Sequence, residues 1–173
     1  MQTLMNAEAP PATDRELLTV DISEIRVSRD PNSVLVTYAL GSCVAVMLHD
    51  PARRVGGMIH YMLPLSTATP DRAAERPAMF ADTGVPMLFR AMYALGCEKK
   101  DLIVKVVGGS SLHNDNNTFQ IGLRNYTTLR KLFWKNNVMI AAEDVGGERS
   151  RTAYFFIDSG RVVIKSQGEE REL

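Results

Sequence analysis

Cysteine and histidine are scarce in this chain: two cysteines, Cys43 and Cys97, and three histidines, His49, His60 and His113, among 173 residues. Two thiols cannot build a disulfide framework, and neither belongs to a Cys-x-x-Cys pair. So short a supply of ligands would leave a structural zinc site with an unusual mixed set, so neither a metal nor a cofactor is expected. An excess of either charge is also missing, since Lys+Arg and Asp+Glu both total 20. Without a basic surplus to neutralise a phosphate backbone, nucleic acid is not an expected partner. No apolar run approaches the roughly 20 residues that span a bilayer, so membrane insertion is not expected either. The first eight residues lack the positive and apolar regions of a secretory signal. These absences lead to the expectation of one cytoplasmic domain in a reducing compartment, large enough to bury a core without staples.

What is present reads mainly as strands. Residues 1–16 hold Pro10-Pro11 and scattered charges, and are expected to form a flexible leader. Residues 17–27 mix apolar and acidic positions and suggest a strand or strand pair. Val34 to Leu40 is strongly β-prone and stops at Gly41-Ser42. Cys43 to Leu48 is continuously apolar, as in a strand buried on both faces, and Gly56 to Leu63 returns after a polar turn to complete a hairpin. Residues 65–81 show no periodicity and are expected to be an irregular segment whose Arg72, Arg76, Met79 and Phe80 offer a docking surface or lid. A helix capped by Asp82 or Thr83 follows and ends at Gly96.

Further strands are expected over 102–107, 138–145, 152–157 and 161–165, with a second helix over 122–136. The charged tail, 167–173, is expected to fray. Strands outnumber helices and most links are short. The fold class is therefore α+β: layered, strand-rich, with mostly antiparallel or mixed sheets and two principal helices on one side, in a single domain over 17–166.

The chemistry concentrates at Cys43. A lone intracellular cysteine is more often a small buried hydrophobe than a nucleophile. The Gly41-Ser42 approach favours chemistry, because a turn that leaves N–H groups unpaired acidifies a thiol and supplies oxyanion donors. Cys97, just past Gly96, has no such surroundings and reads as structural. His60 lies among apolar residues on the returning strand, where it is either a satisfied core histidine or the base for Cys43. His49 precedes a turn and reads as solvated, and His113 lies in a polar loop. Thr37, six residues before Cys43, could orient the imidazole or could be an ordinary strand threonine. Gly108-Gly109 and Gly146-Gly147 are either turns or close backbone approaches.

Leu40-Gly41-Ser42-Cys43-Val44-Ala45-Val46, Asp50-Pro51 and the run from Gly56 to Pro64 together resemble the signature of the CheD family of chemoreceptor glutamine deamidases. The resemblance continues through Val106-Val107-Gly108-Gly109, Ile121-Gly122-Leu123-Arg124-Asn125, Ala142-Glu143-Asp144-Val145-Gly146-Gly147 and Arg151-Thr152. It implies a layered fold related to deamidating bacterial toxins. It also implies a cysteine hydrolase, a protein-glutamine glutaminase acting on methyl-accepting chemotaxis receptors. Cys43 matches the nucleophile, His60 the general base and Thr37 the third active-site residue. Gly41, Ser42 and Gly109 are candidates for the oxyanion or substrate-binding set, and a CheC-type phosphatase is an implied partner. The competing readings are an adaptor that docks receptors or CheC with little catalysis, and a thiol hydrolase of esters or peptides.

Overall fold

The computed structural model describes residues 14–111 and 120–173. The leader up to residue 13, His113 and the polar loop at 114–117 lie outside the described residues. Among the described residues ten strands form two five-stranded sheets. The first sheet contains β1 (Glu16–Thr19), β3 (Ser33–Leu40), β8 (Arg151–Phe156), β9 (Val162–Ser166) and β10 (Glu169–Glu172), in that order. The second has β2 (Glu24–Ser28) at one edge, then β5 (Val55–Tyr61), β4 (Val44–Asp50), β6 (Ile103–Gly108) and β7 (Ala142–Val145). Among the described residues there are also three α-helices, α1 (Pro70–Glu75), α2 (Ala81–Ala94) and α3 (Ile121–Lys135). No helix among the described residues is long and apolar enough to cross a membrane.

The apolar runs explain the layering. Every residue of β4 and β5 is buried, because the second sheet is covered on both faces. One face carries Val44, Val46, Leu48, Ile59 and Tyr61 against Val85, Leu88, Met92, Leu129 and Phe133 of α2 and α3. The other carries Ala45, Met47 and Met58 against Leu35, Ala153, Phe155 and Ile164 of the first sheet. The order of layers is sheet, sheet, helices. Each such side chain contributes roughly 1.5–3 kcal/mol by leaving water, so the two apolar layers dominate the stability of the fold.

Two features of this architecture create the site. Two of the chain's crossings between the sheets matter here: residues 20–23 carry β1 into β2, and residues 41–43 carry β3 into β4. The first is fastened to the strands that carry the site, since Val20 N–H donates to Val36 O on β3 at 2.8 Å and Ser23 N–H donates to His60 O on β5 at 2.7 Å. In addition, the register of β3 on β8 shifts between Thr37 and Leu40, with Ala39 at φ 53°. This bulge exposes Tyr38 and Ala39 yet returns Leu40 to the core, which re-aims the chain into Gly41.

Several expectations need correction. The tail does not fray: β10 pairs antiparallel with β9, and Leu173 N–H donates to Val162 O. The strand expected over 138–145 forms only at Ala142–Val145, where it pairs in parallel with β6. Residues 65–81 are not irregular throughout, holding α1 between two short helical turns. Arg72 and Arg76 are exposed, but Met79 and Phe80 are buried core residues rather than docking surface. Neither Asp82 nor Thr83 caps α2: Phe80 occupies the N-cap position, and the Asp82 carboxylate instead accepts from Ser66 N–H and Oγ. Pro86 stands inside the helix. His49 is buried rather than solvated, because β4 is covered on both faces up to its last residue.

Candidate active site

The hairpin of β4 and β5 sets the positions of Cys43 and His60. Ala45 pairs in register with His60, so their side chains share a face, the one turned toward the first sheet. Cys43, two residues before Ala45, is partly exposed and packs against that same inter-sheet cluster. The thiol and imidazole are thus diagonal neighbours at the open end of the layer. They do not hydrogen-bond in this resting structure, since His60 Nε2 is buried and has no partner among the described residues. Catalytic hydrogen bonds are often long before substrate binds.

The third residue comes from the opposite sheet. Thr37, fully buried on β3, places Oγ1 2.7 Å from His60 Nδ1 and donates its own hydroxyl to Val20 O at 2.7 Å. A hydroxyl has one proton to donate. Because that proton goes to Val20 O, Thr37 Oγ1 accepts from His60, which puts the ring proton on Nδ1. Nε2 is left with a free lone pair, on the face of the hairpin that also carries Cys43. Thr37 therefore sets the tautomer as well as the position of the ring.

Burial also governs the charge state. It pushes the His60 pKa down to about 4, partly offset by the pull of the Val20 backbone carbonyl on the ring N–H and by the nearby Asp21 carboxylate. Burial likewise pushes the Cys43 thiol up, while the residue's own backbone N–H acts in the other direction. Near neutrality the site therefore rests as a neutral thiol and a neutral imidazole, not as an ion pair.

The Gly-Ser turn is held from behind. Gly41 O accepts from Ser110 N–H at 2.9 Å, and Cys43 O accepts from Gly109 N–H at 2.8 Å. Gly109 thus commits its N–H to the loop that carries the thiol. Gly108 has φ +119° and lies so close that a Cβ there would come within 2.3 Å of Cys43 O. This junction needs a glycine. Gly146-Gly147 is a turn whose carbonyl, at Gly146, accepts from Arg151. Cys97 is buried, and burial together with the Asp50 carboxylate pushes its thiol up to about 11. That suits a structural residue.

Asp21, Val20 and Asn125 did not stand out in the sequence. Val20 acts through its backbone, which leaves no mark in a sequence. Asn125 does leave one, because it interrupts the apolar spacing of Gly122, Leu129 and Phe133 on the buried face of α3.

Comparison with known proteins places the chain in a wider group. The family model described as "CheD chemotactic sensory transduction" matches residues 62–166. A protein of Syntrophus aciditrophicus named "Probable chemoreceptor glutamine deamidase CheD 1" is 53% identical over 149 residues, covering 86% of this chain and 93% of that protein. One of Anaeromyxobacter dehalogenans, "Probable chemoreceptor glutamine deamidase CheD 2", is 48% identical over 87% of this chain and 94% of its own. A third, from Solibacter usitatus, is 44% identical over 91% of this chain and 94% of its own. The family model begins after His60, but a match of 149 residues in a chain of 173 must span Thr37, Cys43 and His60 wherever its ends fall.

Proposed function

Since the chain belongs to the CheD family, we propose that it is a cysteine-dependent glutamine deamidase of chemotaxis receptors, with Cys43 as nucleophile, His60 as general base and acid, and Thr37 as the group that orients the imidazole. The observation that carries this reading is the Thr37–His60 hydrogen bond, which leaves His60 Nε2 without a partner among the described residues, at the end of the layer where Cys43 lies. An adaptor would have no use for a buried, unsatisfied ring nitrogen, and leaving one costs about 1–3 kcal/mol.

The reaction balances as hydrolysis of a primary amide. His60 Nε2 removes the Cys43 proton as sulfur attacks the glutamine Cδ. The S–C bond forms and the carbonyl pair moves onto oxygen. Backbone N–H groups at Ser42 and Cys43 stabilise that oxyanion, a contribution typically about 3 kcal/mol per donor. Collapse breaks the C–N bond, and the proton held on His60 leaves with the nitrogen as ammonia. Water, deprotonated by His60 Nε2, then attacks the thioester and releases glutamate and the free thiol. No step requires a metal or an organic cofactor.

The reaction is proposed to run in the cytoplasm, where receptor signalling helices are long bundles that expose single side chains. A CheC-type phosphatase competing with receptor for the same surface belongs to this reading. Purified receptor incubated with the enzyme should gain about 1 Da per converted glutamine, the amide-to-acid difference, and Cys43→Ala should abolish the gain. Persistence of the mass change with Cys43→Ala would sink the mechanism. Its absence with the unaltered protein, alongside retained receptor binding, would favour the adaptor.

A further inference from the structure

Asn125 is fully buried on α3, outside the trio assigned above, and its amide is used in an unusual way. Both hydrogen bonds from Nδ2 go to backbone carbonyls that flank the reactive pair: Ser42 O at 2.9 Å, just before Cys43, and Met62 O at 3.0 Å, two residues after His60. The amide's orientation is unambiguous, because the reverse placement would set Oδ1 against two carbonyl oxygens. The helix turn is itself held, since Tyr61 Oη donates to Asn125 O at 2.9 Å. Meanwhile Asn125 Oδ1 is buried without a partner among the described residues. An unpaired buried acceptor costs stability, so an apolar residue would fill this position better if packing were all that mattered.

The consequence lies in the geometry of the peptide bond. A trans peptide is planar, and its C=O and N–H point to opposite sides. Three successive carbonyls in the loop are held from the β6–α3 side: Gly41 O by Ser110 N–H, Ser42 O by Asn125 and Cys43 O by Gly109 N–H. Turning the Ser42 carbonyl toward α3 turns the Cys43 N–H the other way, toward its own sulfur. The downward pull of that N–H on the Cys43 thiol fits this direction. Among the described residues the Cys43 N–H donates to no other backbone carbonyl.

We propose that Asn125 is the positioning residue of the oxyanion site: by holding the Ser42 carbonyl, it aims the Cys43 N–H at the oxygen that becomes negative when the thiol adds to the amide. This rests on Cys43 being the nucleophile. Of the three donors behind the loop, Asn125 is the side chain, and so the one that substitution can remove.

Asn125→Ala and the near-isosteric Asn125→Asp should each lower kcat for receptor deamidation roughly 100-fold, the usual cost of one oxyanion donor, with KM changed less than about threefold. Alkylation of Cys43 by iodoacetamide forms no oxyanion, because sulfur displaces iodide at a saturated carbon. Its limiting rate at high pH should therefore stay within about twofold of the unaltered protein, a separation that loosened packing could not produce. A kcat within about threefold of normal, or a matching fall in alkylation, would overturn the proposal.

The unaltered protein supplies a second test if these variants do not fold. A receptor peptide with an aldehyde in place of the glutamine amide would add the Cys43 thiol as a hemithioacetal, and the Cys43 amide proton should then move downfield in its NMR spectrum. A hemithioacetal without that shift rejects the role of Asn125. Failure to form one at Cys43 rejects the nucleophile assignment itself.

Discussion

His49 and His60 sit at opposite ends of the layer between the two sheets, on paired strands, and both are buried. The His49 end is closed. Its Nε2 donates to Ile157 O at 2.9 Å, its ring meets Phe155 edge-on at 6.0 Å, and a Cβ on Gly160 would come within 2.5 Å of Nδ1. At the His60 end one ring nitrogen is tied to Thr37, the other has no partner among the described residues, and the residue diagonally across is a partly exposed thiol. Burial therefore does not distinguish a structural histidine from a functional one. A ring nitrogen buried without a partner does: among the described residues His60 Nε2 is one, and neither nitrogen of His49 is.

Substitution at each end should separate the two. His60→Asn is expected to lower kcat by roughly 10²–10⁴, the range for losing a general base. His49→Asn should leave kcat within about twofold but cost about 1–3 kcal/mol in urea unfolding, because Ile157 O loses its buried donor. Equal kinetic losses at the two positions would erase the distinction.

A smaller effect is expected at Thr37. Thr37→Val keeps the shape but removes the acceptor that fixes the His60 tautomer, and a misdirected ring should lower kcat by roughly 10- to 100-fold. Steady-state kinetics with purified receptor would show it, and a wild-type rate would mean that the ring is oriented by packing alone.

The mildest expectation concerns pH. With His60 near 4 when folded and near 6.5 when unfolded, its proton binds the unfolded chain first as pH falls. Stability linked to this group is therefore complete above pH 6.5 and declines between 6.5 and 4, by up to about 3 kcal/mol. His60→Asn should remove that part of the decline. The acid limb of kcat/KM should likewise fall near pH 4, and a limb near 6.5 would show that the ring is solvated in the working enzyme.

Much of this was legible in the chain. The β4–β5 hairpin followed from two apolar runs around a polar turn, and it brings His60 alongside Cys43 without further information. Thr37 was harder. It is six residues from Cys43, yet the two side chains are carried by different sheets, and only the crossing at Gly41–Cys43 lets a threonine of the first sheet reach a histidine of the second. Nothing local to Thr37 encodes that contact. Met79 and Phe80 misled because apolar residues in a segment without periodicity can face either way, and here they close the core beneath α2. Asn125 could have been suspected from its place in an apolar stripe, but its partners are backbone carbonyls, to which sequence reading is blind.

The neutral resting pair bears on how the enzyme survives oxidants. Peroxide attacks a thiolate and largely spares a thiol, so a nucleophile kept permanently ionised is also kept permanently vulnerable. Burial raises the Cys43 thiol and keeps His60 a weak base, so little thiolate is present between turnovers. On the proposed mechanism the thiolate would form only when substrate binds, and the idle protein would hold little of the form that peroxide oxidises to sulfenic acid.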